Sequence, residues 1–385
     1  MTEDKRKAQP LGTFGGYEAQ EKIEEGKRKD FRRLPTSAPV DYIMKTMGAK
    51  KDVDDLAIFS RPGTTITAQK LGDARRVSIE TPSGDIVIEL GDVEKIVGNR
   101  RGIKKMFCYC LTKINEQAYR TDKKTGAGIL TQGAISFTLK EMVEAGLYSD
   151  IRGARRGATA AIEALTSLKI KGKQYKGNNK RKTTTIEALE VLFTGGNISK
   201  GVCTFYLNER INWGFICAYY TILPQWAYSL PLAAFDLLYT ILYLARQNVD
   251  KISKQGCFSI SLQQICARLG LPDIASCNKI KEKIMQPIED AITAIEEARL
   301  EAEGADLEFT ITPSKIEAET IRSYLENGYL EIRLAGEYAT NFIAIAENKA
   351  HIIEEHKKLK AKAKLKAYAD HEKQKLKELN KQETE

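Results

Sequence analysis

Three histidines occur in the 385 residues, His351, His356 and His371, so positions 1–350 contain no imidazole. That stretch cannot run Ser-His-Asp or Cys-His nucleophilic catalysis, and it cannot build histidine-ligated zinc or a histidine-based DNA-nicking metal site. His351-Ile352-Ile353-Glu354-Glu355-His356 has the outline of a zinc-protease helix, but its histidines are five apart rather than four and fall on different helix faces. Gly128-Ile129-Leu130-Thr131-Gln132-Gly133 has the glycine spacing of a phosphate loop, with Ala134 where the lysine must stand. ATP-driven activity is therefore not expected. The 16 tyrosines fall in no catalytic constellation. Cys108, Cys110, Cys203, Cys217, Cys257, Cys266 and Cys277 form no C-x-x-C pair and read as buried free thiols of a reducing, cytoplasmic compartment. The expectation is a protein that is not an enzyme and needs neither metal nor cofactor.

Positive charge is what the chain concentrates. Lys and Arg number 60 against 51 Asp and Glu, a net of +9. Residues 101–182 hold 18 basic and 6 acidic side chains, a local net of +12, so the excess sits in one segment. Charge of this kind favours an acidic polymer, and the expected partner is double-stranded DNA. Arg152, Arg155 and Arg156 fall beside the apolar face of one helix, where forked donors suit guanine edges and phosphates. Gly153 and Gly157 in that helix each cost about 1 kcal/mol relative to Ala, and close approach of a phosphate or a neighbouring helix would account for them. Lys169, Lys171 and Lys173 alternate along a strand, and Lys176, Lys180, Arg181 and Lys182 occupy the tip that follows, a place to grip phosphates. Residues 229–337 are the opposite, with 11 basic and 17 acidic side chains.

These residues need elements to hold them. Met1 to Val40 is charged, rich in Gly and Pro and without periodicity, and Met1 to Lys7 lacks the apolar core of a secretory signal. Two alternating runs from Arg76 to Leu90 flank Pro82-Ser83-Gly84-Asp85, a hairpin signal. Ile103, Phe107, Cys110, Ile114 and Ala118 are spaced for one helix face. Thr138-Leu139-Lys140-Glu141 is a capping box opening a short helix that Gly146 stops. Ser149 is the expected cap of the next helix, with Ile151, Ala154, Ala158, Ile162 and Leu165 on its apolar face. A strand from Leu168, a polar loop at Gly177-Asn178-Asn179, a return strand from Thr183 to Phe193 and a third strand from Ile198 to Leu207 complete the order of a winged helix-turn-helix, with the lysine-rich hairpin as its wing.

A second round follows. Ser229 and Pro231 open an apolar helix. Ser261-Leu262-Gln263-Gln264 repeats the capping box, Gly270-Leu271-Pro272 ends the short helix, and a long helix runs from Ser276 to Leu300 with Pro287 inside it. Strands from Leu307 to Thr312 and from Tyr329 to Leu334 flank a charged connection. The two boxes lie 123 residues apart, so the halves read as divergent copies of one fold. The apolar run Ala227 to Ala245 is about long enough to span a bilayer, yet Asp236, Thr240 and Tyr243 form a polar stripe along it; it reads as a core helix, and no membrane association is expected. The expected plan is α+β: a disordered arm over 1–40, a basic winged-helix domain over 41–210, an acidic one over 211–340, and a charged helical tail over 341–385.

Tandem winged helices whose second copy reads Asn278-Lys279-Ile280-Lys281-Glu282-Lys283-Ile284-Met285-Gln286-Pro287-Ile288-Glu289-Asp290-Ala291 resemble the initiator replication proteins of theta-replicating plasmids and related mobile elements. The likeness is closest over Ser261 to Ala291, and the two-domain plan extends it to about residues 75–337. The resemblance implies binding to direct repeats at an origin, local duplex opening and recruitment of the host initiator and replicative helicase, without catalysis. It also implies a monomer that initiates and a homodimer that represses its own promoter. That family commonly reads DNA with the second domain, and here Asn278, Lys279, Lys281 and Lys283 are the residues that carry this contact over. The strong basic field lies in the first domain instead. A winged-helix transcriptional repressor, a nucleic-acid enzyme such as a primase or tyrosine strand transferase, and a non-DNA adaptor are the alternatives.

Overall fold

The computed structural model describes residues 31–35, 37–48, 64–81, 84–91, 100–121, 128–176, 181–217, 220–301, 308–315, 318, 320–335, 339 and 343. The fold is mixed α/β. The chain enters through β1 (Phe31–Pro35) and α1 (Ala38–Gly48), so the stretch expected as an arm takes in a strand and the start of a helix. Three strands follow in a meander, β2 (Thr65–Leu71), β3 (Ala74–Thr81) and β4 (Gly84–Leu90). The expected hairpin is β3–β4, and its register places Val77 opposite Ile88 and Ile79 opposite Ile86. All four are buried, while Arg76, Ser78, Glu80, Asp85 and Glu89 take alternate positions together with Val87, so the buried apolar pairs share one face.

Helix α2 (Arg100–Lys113) is sequestered along most of its length, burying Met106, Phe107, Cys108, Tyr109, Cys110 and Leu111. Strand β5 (Ala134–Thr138) leads straight into α3 (Leu139–Glu144), and Thr138 forms the expected capping box: its hydroxyl accepts from Glu141 N at 3.0 Å while its own N–H donates to the Glu141 carboxylate at 2.6 Å. Helix α4 (Ile151–Thr166) comes next. Its cap is Asp150, not Ser149: the Asp150 carboxylate accepts from Gly153 N at 2.7 Å, satisfying an N–H that has no partner within the helix.

The lysine-rich hairpin is β6 (Lys169–Lys176) and β7 (Arg181–Val191). It joins the meander rather than the strand before α3, giving a five-stranded sheet in the order β2-β3-β4-β6-β7. The segment expected as one strand from Ile198 to Leu207 is instead the hairpin β8 (Phe193–Ser199) and β9 (Val202–Leu207). Lys200 and Gly201 make its turn with φ of 49° and 80°, the pair of left-handed residues that a two-residue hairpin turn needs. These strands add to β5 in the order β8-β9-β5.

After α5 (Trp213–Cys217) and β10 (Tyr220–Pro224) the plan repeats with α6 (Leu232–Gln247), α7 (Val249–Gln255), β11 (Cys257–Ser261) and α8 (Leu262–Arg268). Helix α6 starts at Leu232 with Pro231 at its N-cap and no side-chain cap; the Ser229 hydroxyl is spent on Trp226 O. The long helix begins with a π turn, Lys281–Met285, and continues as α9 (Gln286–Glu301). Pro287 explains the π turn: in a regular α-helix its ring would strike the carbonyl four residues back, and the wider turn relieves this, with Gln286 N–H donating to Lys281 O. Strand β12 (Glu308–Pro313), helix α10 (Ile321–Asn327) and strand β13 (Tyr329–Ala335) finish the described chain, with sheet order β11-β13-β12.

The duplication holds at the level of single hydrogen bonds. In each repeat the third strand lies between the first and the second. The first residue of the short helix donates to the residue preceding that third strand, Leu139 N to Gly201 O at 2.8 Å and Leu262 N to Gly328 O at 2.9 Å. Each short helix also ends in the same left-handed glycine closure: Gly146 and Gly270 have φ of 75° and 63°, and Leu147 and Leu271 donate back to Met142 O and Cys266 O.

Candidate nucleic-acid interface

Helix α4 buries Ala154, Ala158, Ala161, Ala164 and Leu165, which turns the opposite side outward. Arg152, Arg155, Arg156 and Thr159 are all exposed there, spaced for one stripe on the helix surface. Ile151, 48% exposed, stands at its head. The stripe is anchored from below. A Cβ on Gly157 would fall 2.1 Å from the Tyr148 ring, so that glycine serves close packing of the turn before the helix. A Cβ on Gly153 would meet only the Asp150 carboxylate, at 3.6 Å or more, so packing does not demand this glycine. The N–H of Gly153 is the first of the influences that hold the Asp150 carboxyl below its ordinary value.

The lysines expected to flank these arginines belong to the five-stranded sheet and not to the three-stranded sheet of the α4 repeat. β6 begins beyond the far end of α4, about 20 Å from Arg152 at 1.5 Å per residue. On β6, Lys169 Nζ is held by the Glu89 carboxylate at 2.7 Å, and Glu89 also accepts from Arg76, so Lys169 is an internal ion pair of the sheet. Both cations lower the Glu89 carboxyl, Lys169 foremost. Lys171 is half-buried and Lys173 exposed on the same face. The backbones of Lys176, Arg181 and Lys182 continue the β6–β7 ladder, with Lys176 opposite Arg181. Lys180 lies outside the described residues, as do the three histidines. The tight turn between the second and third strands of the α4 repeat is Lys200-Gly201, with Lys200 exposed. Lys-Gly is not one of the Asn-Gly, Asp-Gly or Gly-Gly pairs that mark a two-residue hairpin turn in a sequence, and the strand before it does not alternate.

In the second repeat Asn278, Lys279, Lys281 and Lys283 are exposed, but Asn278 and Lys279 precede the helix, and Lys279 is paired with Glu282 at 3.1 Å. Burial aligns the two long helices: Ala154, Ala158, Ala161 and Leu165 match Ile284, Ile288, Ala291 and Ile295, each 130 positions on. By that register the positions of Arg152, Arg155, Arg156 and Thr159 are taken by Glu282, Met285, Gln286 and Glu289. The tight turn of the first repeat is replaced by residues 314–328, including α10. A cavity of about 250 Å³ lies between this insertion and the helix, lined by Lys281, Met285, Glu289, Thr320, Ile321 and Tyr324. The outward face of the second long helix is thus neither basic nor open in the way that of α4 is.

Among the described residues no group of His, Cys, Asp and Glu could hold a metal ion, and no helix is long and apolar enough to cross a membrane. Asp236, Thr240 and Tyr243 are buried, with Asp236 bound to Lys104 of α2 at 2.7 Å. Six of the seven cysteines are buried and Cys257 is partly so; burial pushes the Cys203 and Cys266 thiols up to about 12.

No protein-family profile matches the chain, and no curated protein matches it. Among solved structures, the crystal structure of the RctB domains 2-3 aligns over 78% of this chain and 99% of that one, at 9% identity and a TM-score of 0.40. A selenomethionine form of domain 2 and domain 3 of RctB aligns over 77% and 98%, at 9% identity and 0.38. This is a distant structural likeness.

Proposed function

We propose that the protein is a sequence-specific, double-stranded-DNA-binding replication initiator built on two tandem winged helix-turn-helix repeats, acting by binding and recruitment rather than by catalysis. One observation carries the reading: the exposed Arg152-Arg155-Arg156-Thr159 stripe on α4, the helix that follows the glycine-closed turn in a helix-strand-helix-helix-strand-strand unit. A major groove about 12 Å wide admits such a helix, and bidentate arginines on its outer face discriminate guanine. Lys200 at the β8–β9 turn takes the role of the wing, gripping the backbone beside the groove. Lys171, Lys173, Lys176, Lys180, Arg181 and Lys182 supply phosphate contacts farther along the duplex, with Lys169 committed to Glu89. Asn278, Lys279, Lys281 and Lys283 add backbone contacts from the second repeat, so the main reading falls to the first. The plasmid or mobile-element origin, the host initiator and helicase as partners, the homodimer and the autoregulation follow from the family resemblance.

A footprint of the purified protein on the DNA flanking its own gene tests this. Protection of evenly spaced direct repeats that persists at physiological salt is the expected result. A single inverted repeat over the promoter would instead identify a repressor, and the absence of any preferred site would contradict sequence-specific binding.

A further inference from the structure

The two repeats are not joined by the chain connection alone. β1 pairs antiparallel with β10, from Phe31 opposite Pro224 to Pro35 opposite Tyr220, in the connection between the repeats. The Ser37 hydroxyl then donates to Ile216 O at 2.6 Å, and α1 lies against α2 of the first repeat, with Met44 Sδ 3.5 Å from Cys108 Sγ. From the same helix Asp41 reaches the second repeat: its Oδ1 accepts from Arg268 at 3.0 Å and its Oδ2 from Lys45 at 2.7 Å. Asp41 and Arg268 side chains are only 3% and 10% exposed, and the Arg268 guanidinium lies over the Tyr243 ring. Arg268 is the last residue of α8, directly before the glycine turn into the second long helix, so α1 grips the helix-turn-helix itself.

A second set of buried links runs parallel to this one. Lys104 binds Asp236, Lys105 Nζ donates to the carbonyls of Tyr228 and Leu230, and the Thr112 and Tyr228 hydroxyls share a hydrogen bond of 2.9 Å. A buried ion pair adds little stability over an apolar pair of the same volume; what it demands is one geometry, because any shift strands a charge without a partner.

We propose that Phe31–Gly48 is a strap that fixes the two repeats at one spacing and phase, so that they engage DNA as a single unit, with Asp41–Arg268 as its positioning pair. The consequence for DNA rests on the binding reading above; the consequence for geometry does not. In the full chain carrying Cys257→Ser, spin labels placed at Glu163→Cys on α4 and Glu297→Cys on α9, both exposed, report the distance between the repeats. A single narrow distance distribution is expected, broadened by Arg268→Met and by Asp41→Asn and kept narrow by Arg268→Lys. Loss of one buried partner can unfold the chain. The double replacement Asp41→Leu/Arg268→Met, which leaves neither charge of the pair buried, is therefore measured alongside and is also expected to broaden the distribution. A broad distribution in the parent, or one unchanged in the variants that fold, would overturn the strap. On DNA, inserting about half a helical turn between the parts of the site bound by the two repeats should weaken parent binding tenfold or more, and the Arg268→Met protein threefold or less. Equal penalties would overturn the positioning role even if binding itself is confirmed, whereas a parent that binds no preferred site would overturn the DNA reading and leave the distance measurement to decide the strap.

Discussion

Gly153 and Gly157 look equivalent in the sequence, one helical turn apart in the same helix, yet the structure gives them opposite roles. Gly157→Ala drives a methyl into Tyr148 and should destabilise the fold by about 1 to 3 kcal/mol. Gly153→Ala meets only ordinary contact and should stabilise it by about 0.5 to 1 kcal/mol. Denaturant unfolding of the two variants checks this, and the same sign for both would contradict the packing described. If Gly153 is kept for approach to a phosphate, its alanine variant should bind DNA less tightly while being more stable. Lys105 makes a second prediction. Burial pushes it down to about 8, with Asp236 opposing, whereas an unfolded lysine keeps its proton to about 10.4. Between these values the unfolded chain binds more protons than the folded one, so stability should rise with pH across that window. Unfolding free energies measured from pH 7 to 10 should show this rise in the parent and a flatter profile in Lys105→Met; parallel profiles would count against a buried, depressed lysine. Asp41 is the reverse case. Burial alone would raise its carboxyl, and Arg268 and Lys45 outweigh it and hold it low, so its contribution is present at neutral pH and lost in acid.

The two capping sites set the local stability of the repeats. Thr138 closes both halves of its box, and Thr138→Ala should cost about 1 to 2 kcal/mol; Ser261, whose hydroxyl accepts from Gln264 N at 3.2 Å, should cost about 1 kcal/mol or less on the same change. Thermal melts of the two variants make the comparison, and a larger loss at Ser261 would contradict it. Both caps, both glycine closures and the β3–β4 hairpin were legible in the sequence because each is a local signal spanning a few residues. The partner of the lysine-rich hairpin was not. β6 pairs with β4, where Glu89 and Lys169 stand 80 residues apart, and periodicity carries no information about such pairing. The β8–β9 hairpin was missed because β8 carries Gly195 and Gly196, which break the alternation that marks a strand. Gly196 is needed there, since a Cβ would press on Ile162 of α4 and the Thr204 carbonyl. The arginine stripe was legible because helical spacing fixes it; the strand that closes the α4 repeat's sheet was not, because it depended on which hairpin joins which sheet.

At the scale of the whole molecule, one duplicated plan carries two different surfaces. The first repeat exposes arginines on its long helix and closes its last two strands with a tight basic turn. The second places exposed Glu282, Gln286 and Glu289 and a half-buried Met285 at the matching positions and fills the turn with α10. DNA reading by the first repeat is the central claim. It is tested most directly by measuring, across several salt concentrations, the affinity of the parent and of Arg152→Ala/Arg155→Ala/Arg156→Ala for the footprinted site and for unrelated DNA of the same length. The three arginines are exposed, so the variant should melt within a few degrees of the parent. Its affinity for the site should fall a hundredfold or more toward the value for unrelated DNA, with the log-log salt slope shallower by about 0.9 for each phosphate that the variant no longer neutralises. A folded variant that still prefers the site as strongly as the parent does would contradict the account.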